Sequence, residues 1–224
     1  MNNNRQFLKQ SLFITFEGGE GAGKSTLIQS VAAELFSLGH DVVVTREPGG
    51  SKLGEYVRQW LLNRDFSISI GLKAELLLFL AARAQHIEER IQPALKAGKI
   101  VLCDRFNDST VAYQGYARGL GVKEVQEMCA LVCGDVMPQL TFFLDLDPSI
   151  GLNRTKNLTK ENAGAGEVDR IEAEALTFHE QVRRGFRHIA EQEPERFSII
   201  DATLSKEAVF KAAMSHVHAI LAKI

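Results

Sequence analysis

Alternating apolar runs and helically spaced stretches predict an α/β fold: a three-layer sandwich with helices on both faces of a five-stranded parallel sheet. Three observations carry this expectation. The strand candidates are apolar almost throughout, as strands covered on both faces need to be. Helical stretches separate them, as right-handed crossovers between parallel strands require. The first strand also runs into a glycine-rich turn followed by a helix.

Leu12-Phe13-Ile14-Thr15-Phe16 begins a strand over 12–17, and helical spacing predicts a helix over 24–38 that stops at Gly39. Asp41-Val42-Val43-Val44-Thr45 gives the second strand. Helices are expected over 51–63 and 71–97, the latter ended by Gly98 ahead of a strand over 100–104. A helix over 122–133 precedes the strand 140–146, and helices over 148–156 and 170–192 precede the strand 197–201. A helix over 205–222 closes the pattern. The run from Asn157 to Gly166 breaks the periodicity, being polar, glycine-bearing and poor in core residues. Composition leaves a solvated loop and a mobile lid equally open there.

The 224 residues, 45% hydrophobic and 24% charged, suit one compact domain, with two small ones as the alternative. A net charge of −2 lacks the basic excess of a general nucleic-acid surface. No apolar stretch approaches the ~20 residues that span a bilayer. The segment 1–11 carries no secretory pattern and reads as a polar lead-in. Cys103, Cys129 and Cys133 suit a reducing compartment, hence a cytoplasmic location. Cys129 and Cys133 are four apart on an expected helix, yet further Cys or well-spaced His are wanting, so packing accounts for them better than a metal.

Chemistry enters at Gly18-Gly19-Glu20-Gly21-Ala22-Gly23-Lys24-Ser25, which has the G-x-x-x-x-G-K-[ST] spacing of a phosphate-gripping P-loop. Glycines let successive backbone N–H groups turn inward without a Cβ clash. Those donors and the positive end of the following helix, which Thr26 continues, make a polyphosphate site. Lys24 adds a cation at the outer phosphates, and Ser25 a hydroxyl for Mg²⁺. Ligands of doubly wound sheets collect at the carboxyl ends of the strands. Arg46-Glu47-Pro48-Gly49-Gly50 after the second strand and Asp104-Arg105-Phe106 after the third should therefore meet this loop.

These motifs, with Asp169-Arg170-Ile171-Glu172 further on, resemble those of thymidylate kinases from about Leu12 to the C-terminus. The resemblance implies a P-loop NTPase fold of the nucleoside monophosphate kinase type, a single domain over 1–224 with a short lid at 154–168. It implies transfer of the ATP γ-phosphoryl group to dTMP, giving dTDP and ADP with Mg²⁺, in dTTP synthesis for DNA replication. The implied partners are these small molecules, with neither nucleic acid nor membrane, and a second copy in a homodimer, through the long 71–97 helix.

Phosphoryl transfer needs two anionic reactants held in line with their charge neutralised. Lys24 and the loop amides hold the donor; by resemblance Arg105 reaches the junction of donor and acceptor, and Glu20 lies near the acceptor sugar and phosphate. Asp104 is the acidic residue that supports Mg²⁺, or else pairs with a neighbouring arginine. Glu75-Leu76-Leu77-Leu78-Phe79-Leu80-Ala81-Ala82-Arg83 matches the helix of the thymine site. Phe79 would stack on the base and Arg83 donate to O4, favouring thymine or uracil over cytosine. Taken singly, Phe79 has the spacing of ordinary core with Leu76 and Leu80. Ser109, Thr110, Tyr113 and Gln114 correspond to residues contacting base and sugar, with Tyr113 where a 2′-hydroxyl would clash. Glu47, Pro48 and Arg58 shape the same pocket, and Asp169 and Glu172 bind the sugar or hold lid arginines. The P-loop itself holds no arginine; the resemblance implies that cationic help then comes from the lid, from Arg154, Lys156 or Lys160, with Arg154 the first choice to act like an arginine finger and a solvated basic helix end as the alternative.

Two rivals share parts of this pattern. Another nucleotide kinase would keep the phosphate machinery and change the acceptor pocket. A guanine-reading switch would need Asn-Lys-x-Asp, which is absent. Lys24 is expected to be exposed, so that its loss removes chemistry more than stability; loss of Arg83 is expected to weaken dTMP use and spare ATP binding.

Overall fold

The computed structural model describes residues 11–63, 69–161 and 169–223, with 158–161 as backbone alone. The lead-in 1–10, the lid stretch 162–168 and the Lys160 side chain lie outside the described residues.

The five expected strands form one parallel sheet: β1 (Leu12–Glu17), β2 (Val42–Arg46), β3 (Ile100–Asp104), β4 (Leu140–Asp145) and β5 (Phe197–Asp201), in the order β2-β3-β1-β4-β5. Phe16 stands opposite Asp104, and Asp104 opposite Arg46, so the carboxyl ends of β1, β2 and β3 share one level. Their loops open at one edge, as the strand-end rule requires.

Alternation along β1 divides the core. Leu12, Ile14 and Phe16 point to a face covered by α1 (Lys24–Ser37) and α9 (Lys206–Leu221), whose Leu27, Val31, Leu35, Ala213 and Val217 complete the cluster. Phe13 points the other way, joining Val101, Cys103 and Phe106 beneath α3 (Leu72–His86) and α4 (Gln92–Lys96). On that side, too, α6 (Val122–Cys133) and α8 (Leu176–Gln192) pack through Val125, Cys129, Val182 and Phe186. The edge strands depart from full coverage: Val44 on β2 and Ile199 on β5 are exposed.

Several helices differ from expectation, each for a local reason. The single helix expected over 71–97 is α3, a π-helical turn at Ile87–Ile91, then α4, which opens with Pro93 in its first turn. The helix expected over 170–192 begins only at Leu176, because the Asp169 carboxylate accepts from the amides of Ile171 and Glu172 and holds that stretch in a turn. The helix expected to stop at 156 continues as α7 (Pro148–Glu161), so the first residues of the break in periodicity are helical. Residues 107–117 carried no expectation and are helical: α5 (Asn107–Thr110) followed by a π-helical run, Val111–Ala117. Asn, Asp, Ser and Thr ordinarily favour caps and turns; here all four are buried, and Asp108, Ser109 and Thr110 bond to neighbouring elements. Between β2 and α3, α2 (Lys52–Leu62) starts where Ser51 caps the Gly54 amide at 3.0 Å.

Candidate active site

The loop between β1 and α1 wraps a cavity of about 960 Å³ at the carboxyl edge of the sheet. Gly18, Gly21 and Gly23 have φ of 137°, 66° and 92°, a backbone path that only glycine follows without strain. Gly21 also lies backbone to backbone against Gly151 of α7, leaving no room for a Cβ on either. Glu20, Gly21, Ala22, Gly23, Lys24, Ser25 and Thr26 line the cavity. Gly18 and Gly19 do not; their carbonyls accept from Lys24 Nζ at 3.0 and 2.9 Å. This corrects the expectation of an exposed lysine: Lys24 is only 8% exposed. Burial, and Arg105 nearby, lower its pKa, against Glu20, Asp104 and Glu17.

Beside it, the Ser25 hydroxyl donates to Asp104 Oδ2 at 3.4 Å, while Asp104 Oδ1 is buried with no hydrogen-bond partner among the described residues. A hydroxyl beside a carboxylate oxygen in want of a partner suits a hard cation such as Mg²⁺. Among the described residues there is no cluster of three or more His, Cys, Asp or Glu for a metal.

Arg105 spans the middle of the cavity. It is the non-glycine residue with a left-handed backbone, φ 66°, among those described. Its guanidinium donates to Gly18 O (2.9 Å), Ser109 Oγ (3.2 Å) and Glu20 Oε1 (2.6 Å), and lies 5.2 Å from the Tyr113 ring centroid. Burial would raise the Glu20 pKa, but Arg105 and Lys24 hold it below the ordinary range. The Tyr113 hydroxyl donates to the same Glu20 oxygen at 3.3 Å.

The far end is built from buried side chains. Arg83, 1% exposed, donates from Nε to Glu47 Oε2 at 2.7 Å and from one terminal nitrogen to Phe106 O (3.0 Å) and Thr110 Oγ1 (2.9 Å). Burial alone would weaken its charge; Glu47 outweighs that. The other oxygen of Glu47 meets His86 Nδ1 at 2.9 Å, and His86 Nε2 meets Thr45 Oγ1 at 2.6 Å. Arg58 donates to Pro48 O at 3.1 Å, across the cis Glu47–Pro48 bond. Phe79 faces the cavity while packing against the core. Gln114 also lines it, its amide donating to the fully buried Glu75 at 2.8 Å. Arg118 and Arg170 pair with that same Glu75.

Asp169 and Glu172 close this end. Burial raises both, and with Glu20 and Asp169 nearby Glu172 reaches about 7. At the donor end Arg154 reaches Gly21 O and Ala202 O at 3.4 and 3.3 Å. Of the lid cations whose side chains are described, Arg154 lines the cavity and Lys156 does not.

The structure thus gathers around one cavity every expected site residue whose side chain is described except Gly18, Gly19 and the alternative lid cation Lys156. Sequence reasoning missed others. Ala202, Leu204, Val209 and Phe210 give the donor end an apolar wall, with Lys206 beside them. The strand-end rule, applied to the loop after β5, would have found the first of these. His86 and Glu75 lie on α3 among apolar residues, and no local pattern distinguishes them.

A parallel sheet with a P-loop after its first strand, and one cavity joining that loop to a second, side-chain-built pocket, defines a P-loop phosphotransferase of the nucleotide kinase class. The family model described as thymidylate kinase matches residues 16–213. The chain belongs to the thymidylate kinase family. A thymidylate kinase of Protochlamydia amoebophila is 59% identical over 202 residues, covering 90% of each chain. One of Chlamydia muridarum is 47% identical over 215 residues, covering 94% of this chain and all of that one. Among solved structures, the crystal structure of thymidylate kinase from Ehrlichia chaffeensis aligns with a TM-score of 0.71 at 35% identity, covering 92% of this chain and 98% of that one.

Proposed function

We infer that this chain transfers the γ-phosphoryl group of ATP to dTMP, giving dTDP and ADP, a step of dTTP synthesis for DNA replication. The carrying observation is the continuity of the cavity from the P-loop, past Arg105, to Arg83, Thr110 and Phe79. Two nucleotides can meet head to head in it with Arg105 between their phosphates.

In this reading the loop amides and Lys24 hold the donor phosphates, and the wall of Ala202, Leu204 and Phe210 receives the donor base. Lys24 already faces two carbonyls, so phosphate oxygens would replace like with like. Ser25 and Asp104 would hold Mg²⁺, which when bound neutralises phosphate charge. Glu47 keeps Arg83 in place; among the described residues one guanidinium nitrogen has only Cys129 Sγ at 3.8 Å as partner and is available to the thymine O4. Phe79 stacks on the base. Tyr113 lies beneath the sugar, while Glu20, Asp169 and Glu172 accept from its hydroxyl. Ser109, Gln114, Pro48 and Arg58 complete the acceptor pocket, and Arg154 brings positive charge to the transferring group.

We read the chain as one kinase domain with its lid at 154–168. It acts as a homodimer, a reading supported by the exposure of Leu77 on α3 and Leu131 on α6. No described helix is long and apolar enough to cross a membrane. Three free cysteines support a cytoplasmic location.

Side-by-side turnover of dTMP, dUMP, dCMP, UMP and thymidine with MgATP tests the assignment. dTMP should be used fastest and chelation of Mg²⁺ should stop the reaction; fastest use of dCMP would overturn the base assignment. Light scattering of the purified protein checks the dimer.

A further inference from the structure

Glu17, the last residue of β1, is fully buried and does not line the cavity, yet it reaches both ends of Arg105. Its Oε1 accepts from the Phe106 amide at 2.7 Å, gripping the peptide that follows Arg105. Its Oε2 accepts from the Ser109 hydroxyl at 2.5 Å, and that hydroxyl oxygen accepts in turn from the Arg105 guanidinium at 3.2 Å. When Glu17 is ionised the Ser109 proton is directed at it, and a lone pair is left facing Arg105.

The backbone between these points is strained. A left-handed φ of 66° at a non-glycine residue persists only where surrounding contacts over-determine it. Three hydrogen bonds do so here: Arg105 N–H to Phe16 O at 3.0 Å, the Cys103 thiol to Arg105 O at 3.1 Å, and Phe106 N–H to Glu17. The first two would serve any residue in a loop beside β1; the carboxyl of Glu17 alone ties the backbone turn to the direction of the guanidinium. Burying a carboxyl this way is costly. Burial and the neighbouring Asp108 push its pKa up to about 8, against the pull of Ser109 and Arg105.

We propose that Glu17 is a positioning residue for phosphoryl transfer, holding Arg105 by its following peptide and, through Ser109, by its guanidinium. The proposal rests on the reading of Arg105 as the cation between the two phosphates. It gives Glu17 a role in kcat though it touches neither substrate.

The test is a double-mutant cycle. Assayed above about pH 8, where Glu17 is a carboxylate, Glu17→Gln keeps the volume and the acceptor for Phe106, but turns an amide donor on Ser109 and reverses the polarity that Arg105 meets. It should lower kcat roughly 10- to 100-fold, the scale of a 1 Å misplacement, with KM for ATP within about twofold and no loss of melting temperature. Arg105→Ala should lower kcat by itself, and adding Glu17→Gln to it should cost nothing more, since the carboxyl acts only through that side chain. Ser109→Ala, which cuts the guanidinium arm, should show a smaller kcat loss that likewise vanishes beside Arg105→Ala, whereas its place in the acceptor pocket would register in KM for dTMP; it carries the test should Glu17→Gln fail to fold. An unchanged kcat in Glu17→Gln, or losses that multiply in the double variant, would overturn the positioning role while leaving Arg105's role intact. An unchanged kcat in Arg105→Ala would overturn that role, and the proposal with it.

Discussion

The two ends of the cavity are made from different materials. The donor end is mostly backbone: amides and carbonyls of a glycine loop, the first turn of α1, and one lysine whose ammonium holds two of those carbonyls. The acceptor end is mostly buried side chain: Thr45, His86, Glu47, Arg83 and Thr110 form one hydrogen-bonded chain running from β2 through α3 to α5. A backbone site tolerates loss of a side chain without collapse, because its donors belong to the peptide. A side-chain site does not, because each member leaves a buried partner unsatisfied when removed.

The sharpest test of that contrast is Arg83→Ala. It would leave Glu47, which is 5% exposed, with His86 in place of a guanidinium as its side-chain partner, and breaking a buried pair in this way costs about 3–5 kcal/mol. Denaturant unfolding should register that loss, KM for dTMP should rise, and ATP affinity should hold. Equal weakening of both nucleotides would erase the distinction between the ends. Lys24→Ala comes next. The kcat should fall about 100- to 1,000-fold, as when a positioned transition-state donor is lost. Since Nζ also satisfies Gly18 and Gly19, stability should drop by about 1–3 kcal/mol, less than for Arg83→Ala. A wholly unchanged melt would mean that the lysine is free of the fold.

A smaller effect is expected from pH. Glu17 reaches about 8 in the folded chain against an ordinary 4.5, so the native state keeps a proton that the unfolded chain gives up. That stabilisation is fully present below pH 4.5 and is lost as pH rises to about 8. Glu17→Gln removes the dependence, so its unfolding free energy should improve relative to the parent between pH 5 and pH 8; parallel profiles would contradict the buried proton. The smallest effect is expected at Ser205→Ala, which deletes the cap on the Ala208 amide at the start of α9. About 1 kcal/mol of stability should go, with kcat unchanged.

The same contrast explains what the sequence discloses. Gly18 to Ser25 can be read directly because the loop's function depends on backbone freedom, which glycine spacing records locally. The strands were legible to within about a residue at each end, since apolar runs between polar turns record burial. The acceptor pocket was reached only through resemblance. Arg83 on α3 and Thr110 on α5 are far apart in sequence and acquire meaning from each other. The helix at 107–117 was invisible for a related reason: its Asn107, Asp108, Ser109 and Thr110 are poor helix formers, and the last three find their partners elsewhere, as when Arg196 grips both oxygens of Asp108 at 2.7 Å. Lys24 was misjudged because spacing says what a lysine is for and nothing about how deep it sits.

The bare contact between Gly21 and Gly151 has a consequence of its own. Where two main chains touch without side chains between them, nothing compressible separates them. A shift of α7's first turn is therefore felt at once by the loop proposed to carry the donor's phosphates, as one gear tooth moves the next. Mutational drift at these two positions is correspondingly locked, since one added methyl on either would prise the pair apart.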